Sequence, residues 1–471
     1  MNDLAAQTLG AQFVALAREG ASLFSAMSRS RPVSDQGQYA CAILDGDGRL
    51  IAQDQGEPSH LAAVQSTVAH LLDAFAFNIG DGDVILSGDP HCGGTWCGVL
   101  TLARPLFFDG DLRFVAALRF ALPDLSGEIP GLFQPHAHEI WQEALRVTPV
   151  KLIEASAAQQ DLRRYLLRNT RAPRVLDNDL KAAVRVTGHI GARIAAQVDH
   201  RGLGASTRAA EARIAYSRAR AEAHLAEVAC GRAAAQGIGL VVEHDEAGLA
   251  IDLDGTDGIS GSASNMTLAA TRAVALSQLA GELIEDGALA QGLLDAIAVR
   301  CSDNCILAAK APAAVSLGWR ITAPKFAAAL AEATGTVSLF APPVPLLMMF
   351  EEIGSVPESH PAAISPGFVR TANGSGSDAA SGRRRLMSVE MTEIEGRLSV
   401  ASREATETGM VAEVVVMAEG FEAITVPGGP EPEITQSEPL ERKRSAVLSL
   451  APGARIRFDY PAIGRDSDAR V

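Results

Sequence analysis

Between Gly80 and Val99 the chain reads GDGDVILSGDPHCGGTWCGV, and reactive side chains crowd the second half of that stretch. Asp89 brings a carboxylate, His91 an imidazole, Cys92 and Cys97 thiols, and Gly93-Gly94 a glycine pair followed by Thr95. Carboxylates and imidazoles are the usual groups for moving protons, and imidazoles and thiolates the usual ligands of zinc. Val84-Ile85-Leu86 is an apolar run of strand length, so the reactive groups stand in the turn-rich loop that follows a strand. Loops held by a rigid sheet often carry function, although Gly- and Asp-rich loops also serve as plain connections.

The elements that must position this loop can be read on either side of it. Leu9, Phe13, Leu16, Leu23 and Met27 recur at helical spacing and predict an amphipathic helix over the first thirty residues. Tyr39–Leu44 reads as a strand, and Asp45-Gly46-Asp47-Gly48 is a hairpin signal before Arg49–Ala52. His60 falls at the start of a second helix whose apolar face is Leu61, Val64, Val68, Leu71 and Phe75; there it either caps and packs or takes part in a site. Leu102–Phe108 and Leu112–Phe120 flank Asp109-Gly110 as a second hairpin, and Glu139–Leu145 has a helical pattern. From about Ile153 to Ala235 an Ala-, Leu-, Arg- and Glu-rich sequence predicts helix, its arginine runs alternating with acids as on a solvated face. Strands return near Gly237, Met266–Leu283 is again helical, and the sequence from about Gly354 is β-rich with Gly- and Ser-rich loops.

Several function classes are excluded. A net charge of −15 spread over 471 residues supplies no basic face for nucleic acid. There is no G-x-x-x-x-G-K-[ST] phosphate loop and no G-x-S-x-G serine elbow. Asp252, Asp254 and Asp257 suggest a calcium loop, but Asp257 stands where glycine is required and Ala263 where glutamate is required. Six cysteines are too few for a disulfide scaffold, and Cys301 and Cys305 lack a second ligand pair for zinc. The opening MNDLAAQTLG has no leader-like apolar core, and no apolar run approaches a bilayer's width. The expectation is a cytoplasmic, reduced protein with no membrane or nucleic-acid partner.

Taken in order, YACAILDGDGRLIAQ (Tyr39–Gln53), Ser59-His60-Leu61, Gly82–Thr95, IWQEALRVTPVKL (Ile140–Leu152), DLDGTDGISGSASNMTLAATR (Asp252–Arg272) and LAPGARIRFDY (Leu450–Tyr460) resemble the hydantoinase B / oxoprolinase family. That family includes subunits of N-methylhydantoinase, half of ATP-dependent 5-oxoprolinase and the large subunits of acetone-type carboxylases. The resemblance implies a mixed α/β (α+β), multidomain fold. We expect an N-terminal α/β part carrying the site motifs (1–152), a central helical region (153–236), a mixed α/β domain (237–353) and a β-rich C-terminal part (354–471). It also implies a division of labour, in which a hydantoinase A-like ATPase activates the substrate oxygen with ATP and the B-type part hydrolyses or carboxylates it, in some members at a bound metal.

The resemblance breaks at the ligands. Where the family carries Gly-Gly-Thr-His-x-x-Asp, this chain has Gly93-Gly94-Thr95-Trp96-Cys97-Gly98-Val99. Where it carries Arg-x-His-His-x-Asp-x-x-Gly, Ala121 and Leu122 replace the histidines, while Arg119, Asp124 and Gly127 are kept. None of Trp96, Val99, Ala121 and Leu122 offers a lone pair to a divalent ion, so no metal or other cofactor is expected in this chain. ATP and a divalent metal are expected in partner subunits, a hydantoinase A-like ATPase and a second, intact B-like chain. By the same resemblance His60, Asp89, Arg119, Asp124 and Glu139 are the retained candidates for chemistry, and Gly93, Gly94 and Thr95 for holding substrate. The acids among them could equally cap turns or hold arginines. The expected role is a structural or accessory subunit. The alternatives are an active hydrolase with relocated ligands, drawn from His91, Cys92, Cys97, His136 and His138, or with no metal, and a stand-alone binding protein.

Overall fold

The computed structural model describes residues 3–339 except 35–36, 55–56, 128–133, 135–136, 247 and 302–303, and beyond them the backbone of strands between 347 and 459. The chain forms two compact units, Met1–Leu339 and Phe340–Val471.

The first unit is built on helix α1 (Asp3–Met27), the four-residue α2 (Arg31–Ser34), strands β1 (Tyr39–Asp45) and β2 (Leu50–Gln53), helix α3 (Ala63–Ala74), and strands β3 (Val84–Ser87), β4 (Val99–Phe108) and β5 (Asp111–Ala121). A one-turn helix α4 (Ile140–Glu143), strands β6 (Val150–Glu154) and β7 (Ala157–Ala158), and helices α5 (Gln160–Arg168), α6 (Pro173–Arg201) and α7 (Leu203–Leu225) follow. The seven strands make one antiparallel sheet in the order β2-β1-β5-β4-β3-β6-β7. Asp109 and Gly110, at φ 54° and 87°, turn β4 directly into β5, the geometry that a two-residue Asp-Gly hairpin requires.

Side chains alternate along β5. Phe114 and Phe120 point to α1, with Phe13 against Phe114 at 5.8 Å and Phe24 against Phe120 at 5.0 Å between ring centroids. Arg119 points to the opposite face, where its hydrogen-bond partners come from α3 and from β4. One face of this sheet is thus an aromatic core, and the other holds a buried polar cluster.

Strands β8 (Gly231–Ala235), β9 (Ile238–Asp245), β10 (Gly248–Asp252) and β11 (Ile297–Arg300) form a second sheet, with helices α8 (Leu268–Glu285), α9 (Gln291–Asp295) and α10 (Gly318–Thr334) beside them. β10 and β11 are parallel, joined through α8 and α9. Two sequence expectations are corrected here. The helix expected through Ala235 stops at Leu225, because Gln236 and Gly237 (φ 53° and 81°) fold Gly231–Ala235 back onto β9 as a hairpin that overrides alanine's helical preference. The helix expected over Glu139–Leu145 is one turn, Ile140–Glu143, ended by Ala144 in extended backbone.

In the second unit the described strands form two five-stranded antiparallel sheets. His136, one of the candidates for a relocated ligand, lies outside the described residues.

Candidate functional site

The two altered motifs form one corner. Val99 opens β4, Ala121 closes β5, and the two are direct cross-strand partners. The Leu122 N–H donates to the Gly98 carbonyl at 2.8 Å, extending the ladder past the strand end. Trp96 stands in the turn before β4, and Trp96, Val99, Ala121 and Leu122 are all buried. Opposed residues in such a pair bring their Cβ atoms within about 5 Å of each other. Imidazole and carboxylate groups at these positions would meet on one ion. The groups present are an indole, an isopropyl, a methyl and an isobutyl, and the indole nitrogen is a donor only. The donor set at this corner does not fit a divalent metal.

Two residues from that corner, on the same face, sits Arg119. Thr101 lies opposite it on β4. Arg119 Nη1 donates to Thr101 Oγ1 at 3.0 Å and to Thr67 Oγ1 at 3.4 Å, Nη2 to Thr95 Oγ1 at 2.7 Å, and Nε to His60 Nδ1 at 3.2 Å. All of these acceptors are neutral. Burial pulls the Arg119 guanidinium down to about 9, with Glu57 opposing the shift. His60 ends the short 3₁₀ turn Pro58–His60 and is fully buried. Burial first, and then the charge of Arg119, hold its imidazole well below the usual range. Since Nδ1 accepts from Arg119, the neutral ring carries its proton on Nε2. The His60 and Trp96 rings are 6.1 Å apart, and Trp96 and Trp319 of α10 are 6.0 Å apart.

The retained glycines are required for packing. Gly93 has φ +80°, and a Cβ on it would lie 2.4 Å from the Ser66 carbonyl of α3. The Gly94 carbonyl accepts from Thr267 Oγ1 at 2.7 Å, the residue that also caps α8. The loop after β3 is thereby clamped between two helices.

The remaining candidates are dispersed. Asp89 is buried and paired with Arg146 at 2.5 Å. Asp124, its side chain wholly buried, pairs with Arg171 Nη1 at 2.9 Å and accepts the Arg171 backbone N–H at 2.7 Å. Glu139 is exposed and stands at the start of α4, where its N–H donates to Gln142 Oε1 at 3.1 Å. His91 Nε2 donates to the Ala313 carbonyl at 3.0 Å, and His138 donates from Nδ1 to the Gly261 carbonyl. Among the described residues no three His, Cys, Asp or Glu side chains gather as they would around a metal ion.

Sequence reading passed over Glu143. Its carboxylate lies inside α4, accepts the backbone N–H groups of Val315 and Ser316 at 2.7 and 2.6 Å, and receives Cys97 Sγ at 3.6 Å. Burial pushes Glu143 up to about 7 against those hydrogen bonds. Because the folded chain then holds this proton more tightly than the unfolded one, the Glu143 contribution to stability falls as pH rises from about 4.5 to about 7. Glu143→Gln keeps an acceptor for both N–H groups and abolishes the titration. Melting measured at pH 5 and at pH 8 should show wild type losing on the order of 2 kcal/mol relative to the variant between the two.

Burial, and then the charge of Glu143, raise the Cys97 thiol well above its ordinary range, and burial with Asp89 brings Cys92 up to about 11. Neither thiol is a ready thiolate. Iodoacetamide applied to the native chain should modify the exposed Cys230 and spare Cys97 until the fold is opened, as read by peptide mass spectrometry.

The family description "Hydantoinase B/oxoprolinase" matches residues 2–400. This chain belongs to the hydantoinase B/oxoprolinase family. Among relatives of this hydantoinase B-family chain, the caprolactamase subunit beta of Pseudomonas jessenii is 32% identical over 155 residues, which are 33% of this chain and 27% of that protein. The 5-oxoprolinase of Dictyostelium discoideum is 25% identical over 193 residues, 41% of this chain and 15% of that one. In both, the matched stretch is well under a third of the relative's length. The fold of ATP-dependent caprolactamase from P. jessenii superposes with a TM-score of 0.74 at 17% identity, covering 98% of this chain and 90% of that one. A nucleotide-free acetone carboxylase structure also gives 0.74, at 12% identity, covering 98% of this chain and 75% of that one. The mixed α/β architecture expected from the sequence is thus shared with both of these structures. No helix among the described residues of this hydantoinase B-family chain is long and apolar enough to cross a membrane.

Proposed function

We propose that this chain is a hydantoinase B-like accessory subunit of an ATP-dependent complex that acts on a cyclic amide or a ketone. The observation that carries the reading is the buried pair of Val99 and Ala121, flanked by Trp96 and Leu122, where the family places metal ligands. A metal-bound water has a pKa near 7 against 15.7 for bulk water, so a corner without ligands cannot make hydroxide at neutral pH by that route. The scaffold around the corner is intact: Arg119 is held by three threonines and His60, and the glycine loop is clamped to two helices. A scaffold preserved around a silenced corner suits a chain kept for its shape.

In this reading a hydantoinase A-like ATPase activates the substrate with ATP. A second, intact B-like chain carries the divalent metal, and this chain completes or shapes the assembly. Capture of the full-length chain from its native cells tests the claim. An ATPase subunit is expected to co-purify, and the purified chain alone should not turn over lactam or hydantoin with ATP. A chain that runs alone at 49.2 kDa, or that hydrolyses a lactam unaided, overturns it.

A further inference from the structure

The polar cluster around Arg119 has more donors and more positive charge than it has acceptors. A guanidinium has five N–H groups, and four are taken by His60, Thr67, Thr101 and Thr95, which leaves one on Nη2. His60 Nε2, the protonated nitrogen of its ring, and Trp96 Nε1 are buried without a hydrogen-bond partner among the described residues. Thr95, which binds Nη2, is the sequence neighbour of Trp96, and the Trp96 and His60 ring centroids lie 6.1 Å apart, so the side chains that carry these donors are packed around Arg119. Among the described residues no carboxylate forms an ion pair with Arg119, and the acid that acts on it, Glu57, also acts on the buried Arg320. Buried donors without acceptors are uncommon and costly, as is a buried cation paired only with neutral groups.

We propose that this cluster is a binding site for one small oxyanion, held by the spare Arg119 Nη2–H, His60 Nε2–H and Trp96 Nε1–H. A carboxylate or a phosphate presents the several acceptor oxygens and the negative charge that the cluster is missing. The site stands on these donors alone and holds whether or not the chain works with a partner subunit. Trp96 has two consequences here: it removes a ligand from the metal corner and adds a donor toward an anion.

The test uses the full-length chain. Protein purified without added oxyanions is denatured, and the released anions are measured by ion chromatography. A parallel sample is titrated with inorganic phosphate, sulfate or acetate at matched ionic strength while tryptophan emission and melting temperature are followed. Either a near-stoichiometric anion is released, or one of the three salts raises the melting temperature saturably and changes the emission. The salt that does so separates a phosphate site from a carboxylate site. Trp96→Phe keeps an aromatic ring while losing the N–H donor with the pyrrole half of the indole, and should weaken binding about tenfold or more, the scale of one hydrogen bond to a charged acceptor. No released anion together with no saturable response to any of the salts, as with donors satisfied by water alone, overturns the proposal. So does a Trp96→Phe chain that folds and binds with unchanged affinity.

Discussion

A chain carrying Trp96→His, Val99→Asp and Ala121→His together is expected to become metal-dependent in its stability. Val99 and Ala121 are direct partners across β4 and β5, and Trp96 stands in the turn that leads into β4. The new imidazoles and carboxylate therefore converge on one point beside Arg119. Without metal, the variant buries an ionisable carboxylate in a corner now filled by an isopropyl, a methyl, an isobutyl and an indole, at a cost of several kcal/mol. With Mn, Fe or Zn at about a thousand times the dissociation constant, binding to the folded state returns about 4 kcal/mol. Melting with and without each ion should separate the two states by many degrees in the variant and leave wild type unmoved. A variant that folds but binds no ion would show that these positions do not share a centre.

Asp124→Ala is expected to cost about 3 kcal/mol, while Glu139→Ala changes stability by less than about 0.5 kcal/mol. Both acids survive from the family's motifs, yet their surroundings are opposite. Asp124 is wholly buried, holds the Arg171 guanidinium and backbone N–H, and ties the loop after β5 to the segment leading into α6. Its loss strands a backbone donor and loosens a guanidinium that still reaches the Gly127 carbonyl at 3.0 Å. Glu139 is exposed beside a single helical turn. Chemical denaturation of the two variants checks the contrast. Equal losses would mean that the burial of Asp124 contributes nothing to stability.

Much of the scaffold was legible because its signals are local. The Asp45–Gly48 turn, the Asp109-Gly110 turn and the apolar stripe of α1 need only a few adjacent residues to be recognised. From those hairpins it follows that two motifs far apart in sequence meet, since a tight turn at Asp109-Gly110 brings Val99 and Ala121 to the same end of the hairpin, where a one-residue register shift between Leu106 and Phe107 sets them opposite each other. What was not legible depends on distant partners. Glu143 sits in a pattern that reads only as helical, and its burial against the backbone of Val315 and Ser316 depends on residues far along the chain. The shell of threonines around Arg119 is drawn from α3, β4 and the glycine loop, and nothing in the local sequence announces it. The hairpin of β8 and β9 was missed because alanine's helical preference hid a turn at Gln236-Gly237. Asp89 and Asp124 each pair with an arginine, Arg146 and Arg171, that lies tens of residues further along the chain, so these contacts too depend on the fold.

The most direct measurement is elemental analysis of the purified full-length chain after incubation with Mn, Fe and Zn and exhaustive dialysis. Metal well below one equivalent is expected, because the corner formed by Trp96, Val99, Ala121 and Leu122 has no lone pair to offer. A full, tightly held equivalent that disappears in His91→Ala would contradict it, and would place a working centre on ligands next to the silenced one.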